Sequence, residues 1–124
     1  MASENTIQIK SYNFAVAIIL FCCKIQESKK EFILTKQLIK SGTSIGANIE
    51  EARGAHTKTD FAYNMNIAKK EARETRYWLR LILEMNPHFD SKINVLLTEN
   101  EELIIVSLKT SPLAGMKAKD YKRE

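Results

Sequence analysis

The chain predicts an all-α fold, an antiparallel up-down-up-down four-helix bundle, and three observations carry that prediction. Apolar residues recur at three- and four-residue spacing in four separate stretches, and no stretch shows the two-residue alternation of a strand. Each stretch opens on a capping residue or closes at a glycine or proline. With four Gly and two Pro in 124 residues, the connections must be short, which favours antiparallel neighbours.

Residues 1–10 read as a loosely ordered N-terminal segment, with Ile7 and Ile9 as edge contacts. The bundle domain spans 11–112 and a basic flexible tail follows over 113–124. Ser11 caps a first helix that runs to about Lys24 or Gln26, with Phe14, Ile18, Phe21 and Ile25 as its core stripe. Val16, Ile19, Leu20 and Cys23 are apolar as well, so this helix has more apolar surface than one bundle can cover. Those four residues are the candidate oligomer interface.

The run Ser28-Lys29-Lys30-Glu31 has the pattern of a capping box opening a second helix. Leu34, Leu38, Ser41, Ile45, Asn48 and Ala52 keep heptad phase through Gly42 and Gly46, and Gly54 ends the helix. Two glycines inside a helix each cost about 1 kcal/mol relative to alanine. Since the phase is unbroken, they predict a close approach of a neighbouring backbone rather than a break. Ser41, Asn48, Glu51, Glu71 and Glu74 are the expected polar core, fixing helix register through buried hydrogen bonds.

Thr57-Lys58-Thr59-Asp60 caps a third helix, in which Phe61, Met65, Ala68, Ala72, Thr75, Leu79 and Ile82 form a continuous seam. Ile67, Trp78, Leu81 and Met85 form a second stripe beside it, and Asn86-Pro87 stops the helix. The fourth starts at Asp90 or Ser91, faces inward through Ile93, Leu97, Asn100, Ile104 and Ser107 or Leu108, and closes at Ser111-Pro112.

The net charge is +4 and the isoelectric point about 9.1, which permits an anionic partner. The tail alone holds Lys117, Lys119, Lys122 and Arg123 against Asp120 and Glu124. Cys22 and Cys23 are adjacent, cannot form an ordinary bridge with each other, and read as free thiols of a reducing cytoplasm. The N-terminus has no signal-peptide pattern, and the apolar run 14–23 is too short to span a bilayer. A soluble, cytoplasmic protein is expected.

Chemistry finds little purchase. His56 and His88, the two histidines, do not follow a Glu by three, so the di-metal site of helical bundles is not predicted. The thiols lie in an apolar run that raises their pKa, and Gly42-Thr43-Ser44-Ile45-Gly46 lacks the lysine of a phosphate loop. The expectation is no enzyme, no metal and no cofactor. Lys69, Arg73, Arg76 and Arg80 share one side of the third helix and form a candidate phosphate-tracking stripe, supported by Lys40, Arg53 and the tail. From the residues alone, a solvated face paired with Glu71, Glu74 and Glu84 is the simpler account.

A family resemblance enters at Ser11-Tyr12, Phe14-Ala15, Gln37-Leu38 and the run 41–49 with Glu51-Ala52. It continues through Asp60-Phe61, 68–72, 74–79 and Glu102-Leu103. Across about 11–112 the chain resembles the four-helix-bundle proteins encoded by the intervening sequence of bacterial large-subunit rRNA. Lys40 stands where that family often has Arg, keeping the charge but losing the planar fork. The resemblance implies a homopentamer. A related branch, the accessory protein of diversity-generating retroelements, engages nucleic acid and a reverse transcriptase as a basic pentamer. Together these predict a non-enzymatic oligomer that binds structured RNA or DNA; the alternative is a scaffold that recruits a protein partner.

Overall fold

The computed structural model describes the backbone of residues 2–110 and the side chains of residues 6–105. Within these limits the chain forms α1 (Ala2–Lys29), α2 (Ile33–Arg53), α3 (Lys58–Met85), a 3-10 turn (Pro87–Phe89) and α4 (Asp90–Thr110). There is no strand among the described residues. The helices close in order, α1 on α2, α2 on α3, α3 on α4 and α4 back on α1. The expected tail, Ser107, Leu108 and Ser111-Pro112 lie outside the residues whose side chains are described.

The first helix begins well before Ser11. Residues 2–10 are helical, and Ile7 is buried in the core, so the segment expected to be loose is instead the first part of α1. Ser11 is a buried residue within the helix whose hydroxyl donates to the Gln8 carbonyl at 3.1 Å. Sequence periodicity missed this because Thr6, Gln8 and Lys10 break the apolar stripe, although Ile7, Ser11, Phe14 and Ile18 continue it at helical spacing. The helix also runs on to Lys29. From Thr6 to Lys29 it is long and apolar enough to cross a membrane by length and composition, which a short run of ten residues was not; the central helix of a soluble bundle passes the same test.

The connection to α2 is tight. Lys30 takes a left-handed conformation, φ 56°, with its N–H donating to the Gln26 carbonyl at 3.0 Å. A lysine there carries steric strain that glycine would not. Ser28 belongs to α1 and does not cap α2. The Glu31 carboxylate does so, accepting from the N–H groups of Ile33, Leu34 and Thr35 at 2.9, 2.8 and 3.1 Å. An anion on three unpaired N–H groups is the ideal charge for a helix start.

α2 continues without interruption through both glycines. A Cβ on Gly42 would lie 3.0 Å from Ile18 Cγ2 and 3.1 Å from Cγ1, and one on Gly46 would lie 3.4 Å from the Ser11 carbonyl oxygen. The close approach expected from the sequence is therefore real, and it is tighter at Gly42 than at Gly46. Gly54 ends α2 with φ −87°, its N–H reaching the Glu50 and Glu51 carbonyls.

α3 is capped by Thr57, whose hydroxyl accepts from the Asp60 N–H at 3.0 Å, as its sequence signature predicts. Met65, Ala68, Ala72, Thr75, Leu79 and Ile82 are buried along the expected seam, with Ala62 in place of the half-buried Phe61. In the second stripe Ile67, Trp78 and Leu81 are half-buried and Met85 is exposed. α4 buries Ile93, Asn100 and Ile104, together with Leu96 and Leu103, while Leu97 is half-buried.

The two glycines should respond differently to alanine. Ile18 is fully buried and branched at Cβ, so it cannot swing away from a new methyl at position 42. Gly42→Ala is expected to destabilise by about 1–3 kcal/mol through overpacking, less the helix-propensity gain. Gly46→Ala should be neutral or slightly stabilising. Thermal melts of both variants check this; equal melting temperatures would remove the close-packing account.

Candidate nucleic-acid interface

The six candidate cations do not form one patch. Lys69, Arg73, Arg76 and Arg80 share one side of α3 by their spacing, and Arg76 and Arg80 border α4. Arg76 Nη1 sits 3.5 Å from Glu101 Oε1 on α4, with both side chains about half exposed. Arg76 and Arg80 line a shallow groove with Leu83, Asn94, Thr98 and Glu101. Arg73 and Arg80 are exposed, Lys69 is half-buried, and none of the three has a carboxylate partner among the described residues. The pairing expected from Glu71, Glu74 and Glu84 along the helix is absent among the described residues; the acid that meets this stripe is Glu101.

Lys40 and Arg53 are elsewhere. Lys40 is close enough to Glu71 to lower its pKa, which places it beside α3 on the α2 side. Arg53 donates to the Gln8 side chain, whose amide donates to Glu50, so it belongs to the α1–α2 seam. Sequence spacing finds cations on one helix face but cannot relate faces of different helices.

The expected polar core is rearranged in the same way. Ser41 is buried as expected, and Thr75 Oγ1 donates to its hydroxyl at 2.9 Å across the α2–α3 interface. Asn48 is half-buried and donates to the Ser44 carbonyl of its own helix at 2.8 Å, so it pins nothing. Glu51 and Glu74 are exposed, and Glu74 accepts from the Trp78 indole at 3.2 Å. Glu71 is half-buried; burial first, then the Glu74 charge, raises its pKa, while Lys70 and Lys40 pull it down. Another inward polar group is Asn100, fully buried, whose Nδ2 donates to the Ala72 carbonyl at 2.8 Å. Thr75 and Asn100 stood in the predicted seams; their polarity at seam positions was the signal.

The thiols divide as well. Cys22 is buried, its Sγ 3.7 Å from the Thr35 carbonyl, and burial with the neighbouring Cys23 and Glu31 charges pushes its pKa up to about 12. Cys23 is exposed. Val16, Ile19 and Leu20 are exposed too, at 41, 39 and 65 %. Among the described residues no group of three or more His, Cys, Asp or Glu side chains could hold a metal ion.

The family model for the 23S rRNA-intervening sequence protein matches residues 3–107. The chain belongs to that family. Its fold is similar to a crystal structure of a protein of unknown function from the S23 ribosomal protein family of Bacteroides thetaiotaomicron. The two are 36 % identical with a TM-score of 0.83, covering 86 % of this chain and 96 % of the other. A comparison with curated proteins finds no match. The family match begins at residue 3, within the part of α1 that sequence periodicity missed.

The hydroxyl pair between α2 and α3 is a test of what holds the register. Ser41→Ala leaves Thr75 without its cross-helix acceptor and is expected to cost about 1 kcal/mol. Adding Thr75→Val should cost less than the sum of the two single changes, because the hydroxyls share one bond. Strict additivity in denaturant titrations would show that the pair is not coupled.

Proposed function

We propose that this chain is a non-enzymatic, cytoplasmic, homo-oligomeric bundle that binds structured RNA or other nucleic acid through basic faces repeated around the oligomer. The observation that carries the reading is the row Arg73, Arg76 and Arg80 on the open flank of α3, of which only Arg76 has an acidic partner among the described residues. Guanidinium groups suit phosphate through their planar donor fork. A family named for 23S rRNA supports the choice of ligand. One patch of three arginines is weak by itself; several patches carried by one ring act together.

The helix order in this reading is antiparallel, up-down-up-down. Contacts running in opposite senses support it: Gln8 meets Glu50 while Gln26 meets Thr35, and Lys10 meets Glu102 while Phe21 meets Phe89. The oligomer is a homopentamer, as the family resemblance implies. Its support in this chain is the exposed apolar surface of α1.

Binding should be salt-dependent. Changing Arg73, Arg76 and Arg80 to Ala is expected to weaken RNA binding at least about tenfold and to flatten the salt slope by about one for each lost phosphate contact. Fluorescence anisotropy with a labelled structured RNA at two salt concentrations measures both. Unchanged affinity in the triple variant, or no binding by the parent protein at low salt, would sink the proposal.

Self-assembly has its own chemical readout. Cys23 should react with a thiol reagent at low protein concentration and become protected as the oligomer forms, whereas Cys22 stays unreactive until unfolding. Concentration-independent reactivity of Cys23 would remove it from the interface. The alternative, a scaffold for a protein partner, draws on Phe32, Ile33 and Met85, exposed at 49, 77 and 71 %. A complex that survives nuclease but is lost on mutating these residues would favour it.

A further inference from the structure

Helix α1 leaves two different surfaces uncovered. The first is an outward row, Ile9, Tyr12, Val16, Ile19 and Cys23, at heptad spacing, with the exposed acid Glu27 following one turn later. Ile9 and Tyr12 are 59 and 70 % exposed. The second is a concave apolar groove of about 510 Å³ between α1 and α4, walled by Ala17, Leu20, Phe21, Val95 and Leu96. Lys24 and Lys92 stand together at one end of this groove, and Glu99 lies two helical turns away on α4.

The lysine pair has no acid of its own. Among the described residues no carboxylate bridges to either one, and Lys24 pulls the Lys92 ammonium below its ordinary pKa, by a hydrogen bond first and by like charge second. Glu27 likewise has no ion pair among the described residues. One surface is therefore convex, apolar and ends in an acid. The other is concave, apolar and ends in two bases.

We infer that copies of this chain assemble head to tail, the outward row of α1 from one copy seating in the α1–α4 groove of the next, with Glu27 of the incoming helix against Lys24 and Lys92. This rests on the self-assembly reading above and specifies how assembly is made. Two distinct complementary patches produce a heterologous contact, the kind that closes into a ring; a face-to-face dimer needs only one self-complementary patch. Axial register follows from symmetry. In a ring whose axis runs along the helices, each residue stands at the same height in every copy. Glu27 is then within about one turn, 4.5 Å along the axis, of Lys24. Val16 and Ile19 come level with Ala17 and Leu20 in the same way. The four residues singled out from sequence divide accordingly: Val16, Ile19 and Cys23 on the row, Leu20 in the groove.

The test is light scattering and sedimentation of the full chain across a range of concentrations, with circular dichroism to verify helix content. Leu20→Glu should leave a folded monomer. K24E/K92E and, separately, E27K should each raise the concentration for half-assembly about tenfold or more, since like charges then face each other. The triple variant K24E/K92E/E27K, with the charges exchanged, should restore assembly to near the parent value. A monomeric parent overturns the self-assembly reading and this inference with it, whereas a fully assembled Leu20→Glu variant keeps self-assembly and overturns the groove contact. A monomeric Leu20→Glu variant alongside K24E/K92E and E27K proteins that assemble like the parent keeps self-assembly and overturns the head-to-tail contact. Failure of the triple variant to recover also overturns it.

Discussion

The rest of the structure depends on how closely α1 and α2 approach. At Gly42 the absence of a side chain admits the branched, fully buried Ile18, and at Gly46 a Cβ would already touch the Ser11 backbone. A helix that lacks side chains at two successive positions on one face presents a flat strip, and a neighbour can lie on it at less than the ordinary interhelical spacing. The cost is helix propensity at two sites; the return is dense packing between the two longest apolar stretches of the chain. Because that strip takes only one side of α1 and α4 takes another, the outward side of α1 stays bare.

Among the described buried polar side chains, Ser11 and Asn86 bond to carbonyls one turn back, while Thr35, Ser41, Thr75 and Asn100 bond across to a neighbouring helix. Ser41 with Thr75 joins α2 to α3, and Asn100 with the Ala72 carbonyl joins α3 to α4. Each cross-helix bond forms in one register; a slip would leave the Asn100 amide without its acceptor at a cost of about 1–3 kcal/mol, whereas Thr75 Oγ1 also lies 2.8 Å from the Glu71 carbonyl of its own helix. Asn100 shows the limit of this device: its Oδ1 is buried with no hydrogen-bond partner. Apolar contacts drive the collapse, and these groups decide which of several similar collapsed arrangements is kept.

Charge is distributed by the same geometry. The flank of α3 beside α4 carries the cations and meets Glu101, whereas Glu99 and Glu102 on α4 face α1, so the basic row is partly countered by Glu101 alone. Exposed pairs of this kind contribute little to stability, of order 0–1 kcal/mol. A phosphate can compete for Arg76 without a large loss elsewhere. The net charge of +4 therefore says less about the surface than the local order of cations along one helix flank.

The all-α class, the caps at Thr57 and Asn86-Pro87, the seam of α3 and the unbroken course of α2 were legible in the chain itself. Each rests on interactions among residues a few positions apart, for which spacing is a sufficient guide. The start of α1 was not legible, because polar Thr6, Gln8 and Lys10 hide an apolar stripe whose partner surface belongs to other helices. The sequence placed the cap of α2 at Ser28, whereas the Glu31 carboxylate supplies it, because a left-handed Lys30, not a glycine, turns the chain. The SGTSIGAN run shows most clearly where the boundary falls. Sequence alone determined that it is a helix face made for close contact, since uninterrupted heptad phase allows little else. Only the tertiary structure decided which glycine is tight, that Ser41 finds Thr75, and that Asn48 and Glu51 pin nothing. Those outcomes depend on the rotation of one helix against another, which no single helix encodes.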